Sequence, residues 1–436
     1  MRLRGLRGLV VAAPASGHGK TVLTLGLMRA LADRGVPVVP GKAGPDYIDP
    51  GFHARAAGRE SVTLDPWAAG AAQLRARASE AAGAAGPDGV LVVEGAMGLH
   101  DRPAGAGTGA TADLAAALGL PVVLVLDAKG QGQSAGAVAA GLAAARPDLR
   151  VVGAILNRVA SPRHRAMLAE GFGGAIPLLG TVPPDPALRL RSRHLGLVQA
   201  EELADLETTI AAAARHLSDG VDLAAVLAPG AVAGPTRAPR RLAPPGQRIA
   251  LARDRAFSFV YPHLLGDWRA AGAEIHAFSP LADEGPDPGA DAIVLPGGYP
   301  ELAAGRLAAA AEFRRGMAAA RDRGARIYGE CGGYMVLGEG LTDADGVRHA
   351  MLGLLRLETR FDRPRLHLGY RGLCPAPGAP EWPGPVRGHE FHYAETARAE
   401  GAPLFAAADA AGRPLGPMGL VEGRVAGSFA HAIEPA

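Results

Sequence analysis

A cysteine stands where an apolar run stops. Arg326-Ile-Tyr-Gly-Glu-Cys-Gly-Gly-Tyr-Met335 reads as a strand, a sharp turn and the start of a helix, with Cys331 on the turn. Such a turn holds a side chain in the open. The two glycines let a substrate approach the backbone, and a following helix N-terminus stabilises a thiolate. A nucleophilic thiol also needs a base, and His431, in Gly427-Ser-Phe-Ala-His431, is the candidate. Leu295-Pro-Gly-Gly298 is a strand end followed by a diglycine. The N–H groups of Gly297 and Gly298 can turn toward an oxyanion, which most lowers an acyl-transfer barrier. The competing reading makes Cys331 a small buried hydrophobe and His431 a surface residue. In Gly388-His-Glu-Phe-His-Tyr393, His389 and His392 fall at i and i+3 of a strand. They would then lie on opposite faces, which suits substrate contacts or a structural role better than one metal. Cys374 sits in a Pro/Gly-rich loop and is given no chemistry.

A second constellation lies near the N-terminus. Pro14-Ala-Ser-Gly-His-Gly-Lys-Thr21 follows an apolar run and opens a helix over Val22–Arg34. Backbone N–H groups around Gly17 and Gly19 can cradle phosphates, Lys20 can reach the outer ones, and the Thr21 hydroxyl can bind Mg²⁺. The loop departs from the standard spacing, because Pro14 stands where the first glycine belongs and His18 is unusual there. Magnesium needs hard oxygen ligands. Asp46 and Asp49 sit on a loop after the second strand, and Glu94 ends a strand and leads to Asp101. In an open parallel sheet such strand ends line the ligand crevice. The alternative is that these acids are solvated loop residues or helix caps. Asp127 is a weaker candidate. Asn157 could read an adenine edge or simply cap a turn.

The elements that must position these residues are legible as a pattern. Aliphatic runs at Leu9–Ala13, Val36–Val39, Val90–Glu94, Val122–Asp127 and Val151–Leu156 alternate with Ala/Leu-rich stretches. That alternation predicts a parallel sheet covered by helices on both faces. The pattern dissolves into Pro229–Gly246, rich in Pro and Gly, and resumes at Arg248–Ala252, Glu274–Phe278, Ala292–Leu295 and Arg326–Gly329. The expectation is an α/β chain of two domains, each an open, mostly parallel sheet flanked by helices: residues 1–228, a linker over 229–246, and residues 247–436. The 436 residues suffice for that. A net charge of +2 and 5% aromatics argue against nucleic acid and anionic membranes as partners. Two cysteines make no disulfide framework, and a reactive thiol must stay reduced, which favours the cytoplasm. The apolar run after the basic N-terminus is too short for an export signal, and no run approaches a membrane span.

Several segments together resemble the cobyrinic acid/hydrogenobyrinic acid a,c-diamide synthase family of the cobalamin pathway. They are Ala13–Thr21, Pro40-Gly-Lys-Ala-Gly-Pro-Asp-Tyr-Ile-Asp-Pro50, Val93–Asp101, Arg193–Val198, Leu295-Pro-Gly-Gly-Tyr-Pro-Glu301, Gly329–Met335 and His389–Tyr393. The resemblance implies a phosphate-loop domain similar to dethiobiotin synthetase, then a class I glutamine amidotransferase domain. It implies glutamine hydrolysis through a Cys331 thioester with His431 as base. Ammonia would then amidate the a and c carboxylates of a corrinoid acid through acyl phosphates made with ATP. Lys20, Thr21, Asp46 and Glu94 would hold ATP and Mg²⁺, with Asp49 and Asp101 near the acceptor carboxylate. The implied partners are therefore small molecules: corrinoid acid, L-glutamine and ATP. The chain could also pair as a homodimer. In place of the His-x-Glu common in class I amidotransferases the run here is His431-Ala-Ile-Glu434, which leaves the orienting carboxylate open. Asp65-Pro-Trp67 and Gly98–Asp101 look most like members acting on the metal-free acid. The rivals are the same reaction on the cobalt acid, cobyric acid synthase, and a MinD- or partition-like ATPase switch.

Overall fold

The computed structural model describes residues 7–174, 176–193, 196–227, 238–380 and 382–436, with only the backbone at 192–193 and 196–197. Residues 229–237 of the expected linker lie outside the described residues. The chain divides into two compact units, Met1–Pro239 and Arg240–Ala436.

The first unit is built on seven strands: β1 (Arg7–Ala12), β2 (Val38–Ala43), β3 (Val62–Leu64), β4 (Val90–Glu94), β5 (Val122–Asp127), β6 (Val151–Asn157) and β7 (Leu178–Val182). Their order is β3-β2-β4-β1-β5-β6-β7, and every neighbouring pair is parallel. Strands such as β4, buried at every position, need cover on both faces, and continuous Val/Leu runs supply it. The observed β2 begins two residues later than the run Val36–Val39 suggests and continues to Ala43. Helix α1 (Lys20–Ala32) starts at the phosphate loop, two residues before the sequence expectation. Helix α2 (Asp49–Ala57) starts at the second acidic loop. Sequence reading missed β3, because three residues give too short a pattern, and β7, which follows the Gly-rich stretch Gly171–Gly174. Strand order reverses on either side of β1, which is where such sheets open a crevice at their carboxyl ends.

The second unit contains the four expected strands in one sheet with two that sequence reading missed, Val425–Ser428 and Leu420–Glu422. The order in this sheet is Glu274–Phe278, Arg248–Ala252, Ala292–Leu295, Arg326–Glu330, Val425–Ser428 and Leu420–Glu422. The first five are parallel and the last is antiparallel. Two smaller sheets were not anticipated. One contains Arg348–Ala350, Gly340–Thr342, Arg356–Arg360 and Glu395–Glu400; the other is antiparallel and contains Pro414–Met418, Phe405–Ala408, His367–Pro375, Val386–His392 and Ala430–Pro435. Many of these strands are short or, as in Glu395–Glu400, exposed almost throughout, so no apolar run announces them. Each unit has its own apolar core, one around Val10, Leu91, Val93 and Leu124, the other around Ile293, Leu295, Ile327 and Phe313.

Helix α1 is buried from Val22 to Leu31 except at Arg29, because helix Leu206–Gly220 lies against it. Gly26 permits that approach: a Cβ there would stand 2.7 Å from the Ala213 carbonyl carbon. Gly26→Val should therefore destabilise the first unit by about 2 kcal/mol or more through overpacking. An unchanged midpoint in urea unfolding would contradict that packing.

Candidate active site

In the first unit the loop after β1 turns through two left-handed glycines, Gly17 and Gly19, each at φ 88°. Only glycine takes such angles cheaply, and loops of this kind can turn their N–H groups toward an anion. Other residues hold the loop from outside. The Asn157 side-chain amide donates to the His18 carbonyl at 3.0 Å, and the Asp127 N–H donates to His18 Nδ1 at 2.8 Å. Arg158 donates to the Gly17 carbonyl at 3.1 Å and to Asp127 at 2.5 Å. A Cβ at Gly19 would fall 2.1 Å from Asn157 Nδ2. The Asn157 amide is thus engaged with the loop, and the unusual His18 is part of its anchorage.

Glu94 lies at the centre of this site and is fully buried. Its Oε1 accepts from the Thr21 hydroxyl at 2.5 Å and lies 3.5 Å from Lys20 Nζ. Its Oε2 lies 2.7 Å from His53 Nε2, a buried residue of α2 that sequence reading missed. Burial works against its charge, but Lys42, Lys20 and His53 outweigh burial and hold Glu94 below the usual carboxylate range. Lys20 also donates to the Gly95 carbonyl at 2.6 Å, with Lys42 at 3.4 Å from the same oxygen. Lys42 was missed too. Burial pulls its pKa down, yet the carboxylates of Glu94, Asp49 and Asp46 keep it above the ordinary lysine range.

The other predicted acids are placed as follows. Asp49 pairs with Lys42 at 3.1 Å, and Asp46 lies 4.0 Å from it while accepting the Ile48 and Asp49 N–H groups. Asp101 accepts the Gly98 N–H at 2.8 Å. Its loop packs on the phosphate loop, since the Leu99 N–H donates to the Ala13 carbonyl at 2.8 Å. The Thr21 hydroxyl and Glu94 carboxylate thus converge as hard oxygens beside the loop, a donor set that fits Mg²⁺.

In the second unit Cys331 follows strand Arg326–Glu330 and precedes helix Gly332–Leu337. Its backbone is strained, at φ 47° and ψ −107°, outside the regions an L-residue prefers. The expectation of an open, thiolate-bearing side chain is corrected: Cys331 is buried at 1% exposure, with Sγ 4.0 Å from the Phe391 carbonyl. Burial first, then the Glu301 charge, push the thiol well above its ordinary pKa. A six-residue helix does not offset that, so the resting thiol is neutral.

Register brings the base to the nucleophile. Glu330 pairs with Ser428, and the Cys331 N–H donates to the Ser428 carbonyl at 2.8 Å. The chain leaves the parallel sheet at Ser428 and enters the antiparallel one at Ala430, so His431 lands beside Cys331. A Cβ on Gly297 would stand 3.0 Å from His431 Nε2 and 3.2 Å from Cys331 Cβ. His431 is fully buried, and burial together with the neighbouring His389 and His392 lowers its pKa to about 3, leaving a neutral imidazole. The Gly297 carbonyl accepts the Phe259 N–H at 2.9 Å. In a trans peptide the Gly298 N–H then points the other way, and a Cβ on Gly332 would lie 3.1 Å from that nitrogen.

Glu434 and Glu330 stand against different histidines. Glu434 lies 3.9 Å from His263, whereas Glu330 Oε2 stands 3.6 Å from His431 Nδ1. His389 pairs across the sheet with His431, while His392 stacks on Phe429 at 3.8 Å. His367, Glu390 and His392 have ligand-type atoms within 4.8 Å of one another. Glu390 is already bonded by Arg371 at 2.7 Å and by His392 at 2.9 Å, so the cluster closes on itself.

Residues 248–434 match the CobB/CobQ-like glutamine amidotransferase domain family, and residues 7–191 match an AAA domain family. A hydrogenobyrinate a,c-diamide synthase of Sinorhizobium sp. is 55% identical over 99% of this chain and 99% of its own. Enzymes of the same name from Rhizobium meliloti and Rhodobacter capsulatus are each 54% identical over 98% of this chain and 99% of theirs.

The tightest steric demand in the second site is at Gly297, where a Cβ would stand 2.4 Å from His431 Cε1. Gly297→Ala should displace the imidazole and lower glutaminase kcat by about 100-fold or more. Wild-type glutaminase kinetics in that variant would show that the Gly297 contact is not part of the working geometry.

Proposed function

The chain belongs to the hydrogenobyrinate a,c-diamide synthase family, and on that premise we propose that it amidates the a and c carboxylates of hydrogenobyrinic acid in cobalamin biosynthesis, using ATP and nitrogen from glutamine. The single observation that carries the reading is the convergence of Cys331 and His431 on Gly297 in a chain that also has a phosphate-loop unit. A partition-like ATPase switch would have no use for that arrangement.

In the second unit the neutral pair becomes active as it reacts. Cys331 Sγ attacks the glutamine carboxamide carbon while its proton passes to His431 Nε2. The Gly298 N–H, with that of Gly297, receives the developing oxyanion. The imidazolium returns the proton to the amide nitrogen as the carbon–nitrogen bond breaks, so that it leaves as ammonia and the thioester remains. Water then hydrolyses the thioester, with His431 again as base.

In the first unit the Gly17 and Gly19 loop and Lys20 receive the ATP phosphates. Thr21, Glu94 and Asp46 would hold a magnesium ion with the nucleotide, and that ion would supply charge neutralisation there. Asn157 acts by holding the loop as well as by lying beside the nucleotide. Asp49 and Asp101 flank the corrinoid carboxylate, which attacks the terminal phosphorus of ATP and displaces ADP to give the acyl phosphate. Ammonia displaces phosphate from the acyl phosphate, and this happens once at each side chain. Domain boundaries at 228 and 247 and a homodimer belong to the same reading. So does a cytoplasmic setting, because a thiol that acts as a nucleophile must stay reduced. Among the described residues no helix is long and apolar enough to cross a membrane.

Cys331→Ser should lose glutamine-dependent amidation by several orders of magnitude and keep amidation with ammonium. Lys20→Ala and Glu94→Ala should lose amidation with either nitrogen donor while glutaminase survives. Parallel phosphate-release assays on both donors check this. Equal loss of both activities in Cys331→Ser would sink the two-site reading. The acceptor is tested by steady-state kinetics: kcat/KM should be higher for hydrogenobyrinic acid than for cobyrinic acid. The reverse order would move the chain to the cobalt form of the same reaction.

A further inference from the structure

Glu330 immediately precedes the nucleophile and is held from two sides. Its Oε1 accepts the Ala432 N–H at 3.0 Å, from the residue after the base. Its Oε2 lies 3.6 Å from His431 Nδ1. One flank adjoins a small cavity lined by Leu251, Phe259, Leu264, Trp268 and Trp382. Water cannot solvate a carboxylate well there, so its charge depends on the few donors around it. The position where class I amidotransferases usually carry the orienting acid is filled here by Ile433, and Glu434 faces His263.

We propose that Glu330 is the positioning residue for His431: its carboxylate accepts the Nδ1–H, keeps Nε2 free to take the Cys331 proton, and faces the imidazolium that results. The proposal rests on the glutaminase reading above. The carboxylate keeps its own charge throughout, because the transferred proton moves only between Sγ, Nε2 and the leaving ammonia. The separation of 3.6 Å is an ion-pair distance, and catalytic contacts commonly tighten once substrate is bound.

The arrangement carries a pH dependence with a definite sign. Burial raises Glu330 to about 7, although the Ala432 N–H and the Tyr328 hydroxyl pull it down. Below that pH the protonated carboxyl donates to Nδ1. The ring proton is then forced onto Nε2, and His431 cannot accept from the thiol. Above it the carboxylate accepts from Nδ1 and the base is in the working tautomer. The titratable groups facing Glu330 are Tyr328 on its own strand, Cys331 beside it, His431 across the sheet junction and Tyr261 across the cavity. His389 and His392 act on His431 instead, and Glu301 and Glu390 on Cys331.

The test is glutaminase kcat and KM from about pH 6 to pH 9 for the full chain and for Glu330→Gln, Glu330→Asp and Glu434→Gln. Wild type should show kcat rising with pH through about 7. Glu330→Gln should lose about 100-fold in kcat with little change in KM, and lose that limb. Glu330→Asp should recover part of the rate and keep a shifted limb. Glu434→Gln should stay within about threefold of wild type with the limb intact. The proposal is overturned if Glu330→Gln keeps the wild-type rate and profile. It is equally overturned if Glu330→Gln and Glu434→Gln lose rate alike with the limb retained, which is the pattern of a packing defect. If Glu330→Gln fails to fold, Glu330→Asp decides: an unshifted limb at wild-type rate overturns the proposal. Absence of glutaminase in the wild-type chain would sink the proposed function instead.

Discussion

Glu94 carries negative charge where no water reaches it, and most of the first unit is arranged so that it can. A carboxylate at the inner end of a parallel strand must be offset by cations and donors that arrive from elsewhere in the sequence. Lys20 and Thr21 come from the first turn of α1, His53 from α2, and Lys42 acts from β2. The Gly95 carbonyl gathers both lysines. Two helices and two strands are thereby fixed to one residue, and the phosphate loop starts from that fixed point. Asn157, Asp127 and Arg158 then hold the loop from the far side.

The second unit solves a different problem, which is to place a nucleophile from one sheet beside a base from another. The register of Val425–Ser428 on Arg326–Glu330 fixes where the chain leaves the parallel sheet. Phe429 makes the crossing, with Tyr334 at 5.2 Å and His392 stacked at 3.8 Å. His431 follows two residues later, and the strained backbone at Cys331 turns the thiol to the same place. Strain at that turn is affordable because Gly329, Gly333 and Gly427 let the surrounding backbones close in.

Most of the parallel strands and both reactive loops were legible in sequence because each is a local signal, an apolar run, then glycines or a loop, then a helix; β3, β7 and Val425–Ser428 lack that signal. Cys331, His431 and Gly297 were grouped from residue type and loop position, and the structure brings them together. Partners drawn from distant segments were not legible. His53 and Glu94 are far apart in the chain, and nothing near His53 marks it as a buried ligand of a carboxylate. Glu330 was quoted within the nucleophile motif, yet its role depends on the Ala432 N–H and His431, which only the sheet junction supplies. The small sheets of the second unit escaped because their strands are short, exposed along their length as in Glu395–Glu400, or alternate between faces as in Arg356–Arg360, so no apolar run marks them.

The two sites treat burial in opposite ways, and their chemistry explains why. ATP brings several negative charges that are present before, during and after transfer. A site for it must hold cations permanently, and on the proposed reading Lys20 and Lys42, which act on Glu94, serve that purpose. Glutamine is neutral at its reacting end, and charge appears there only as the carboxamide becomes tetrahedral. A site for it gains most if its own groups are neutral at rest and are stabilised only when that charge develops. Cys331 is pushed up and His431 down, so the resting pair is thiol and imidazole. Burial that would be a defect in a permanently ionised pair becomes useful here, because the same low-dielectric surroundings strengthen the interaction of imidazolium, carboxylate and oxyanion once the proton has moved.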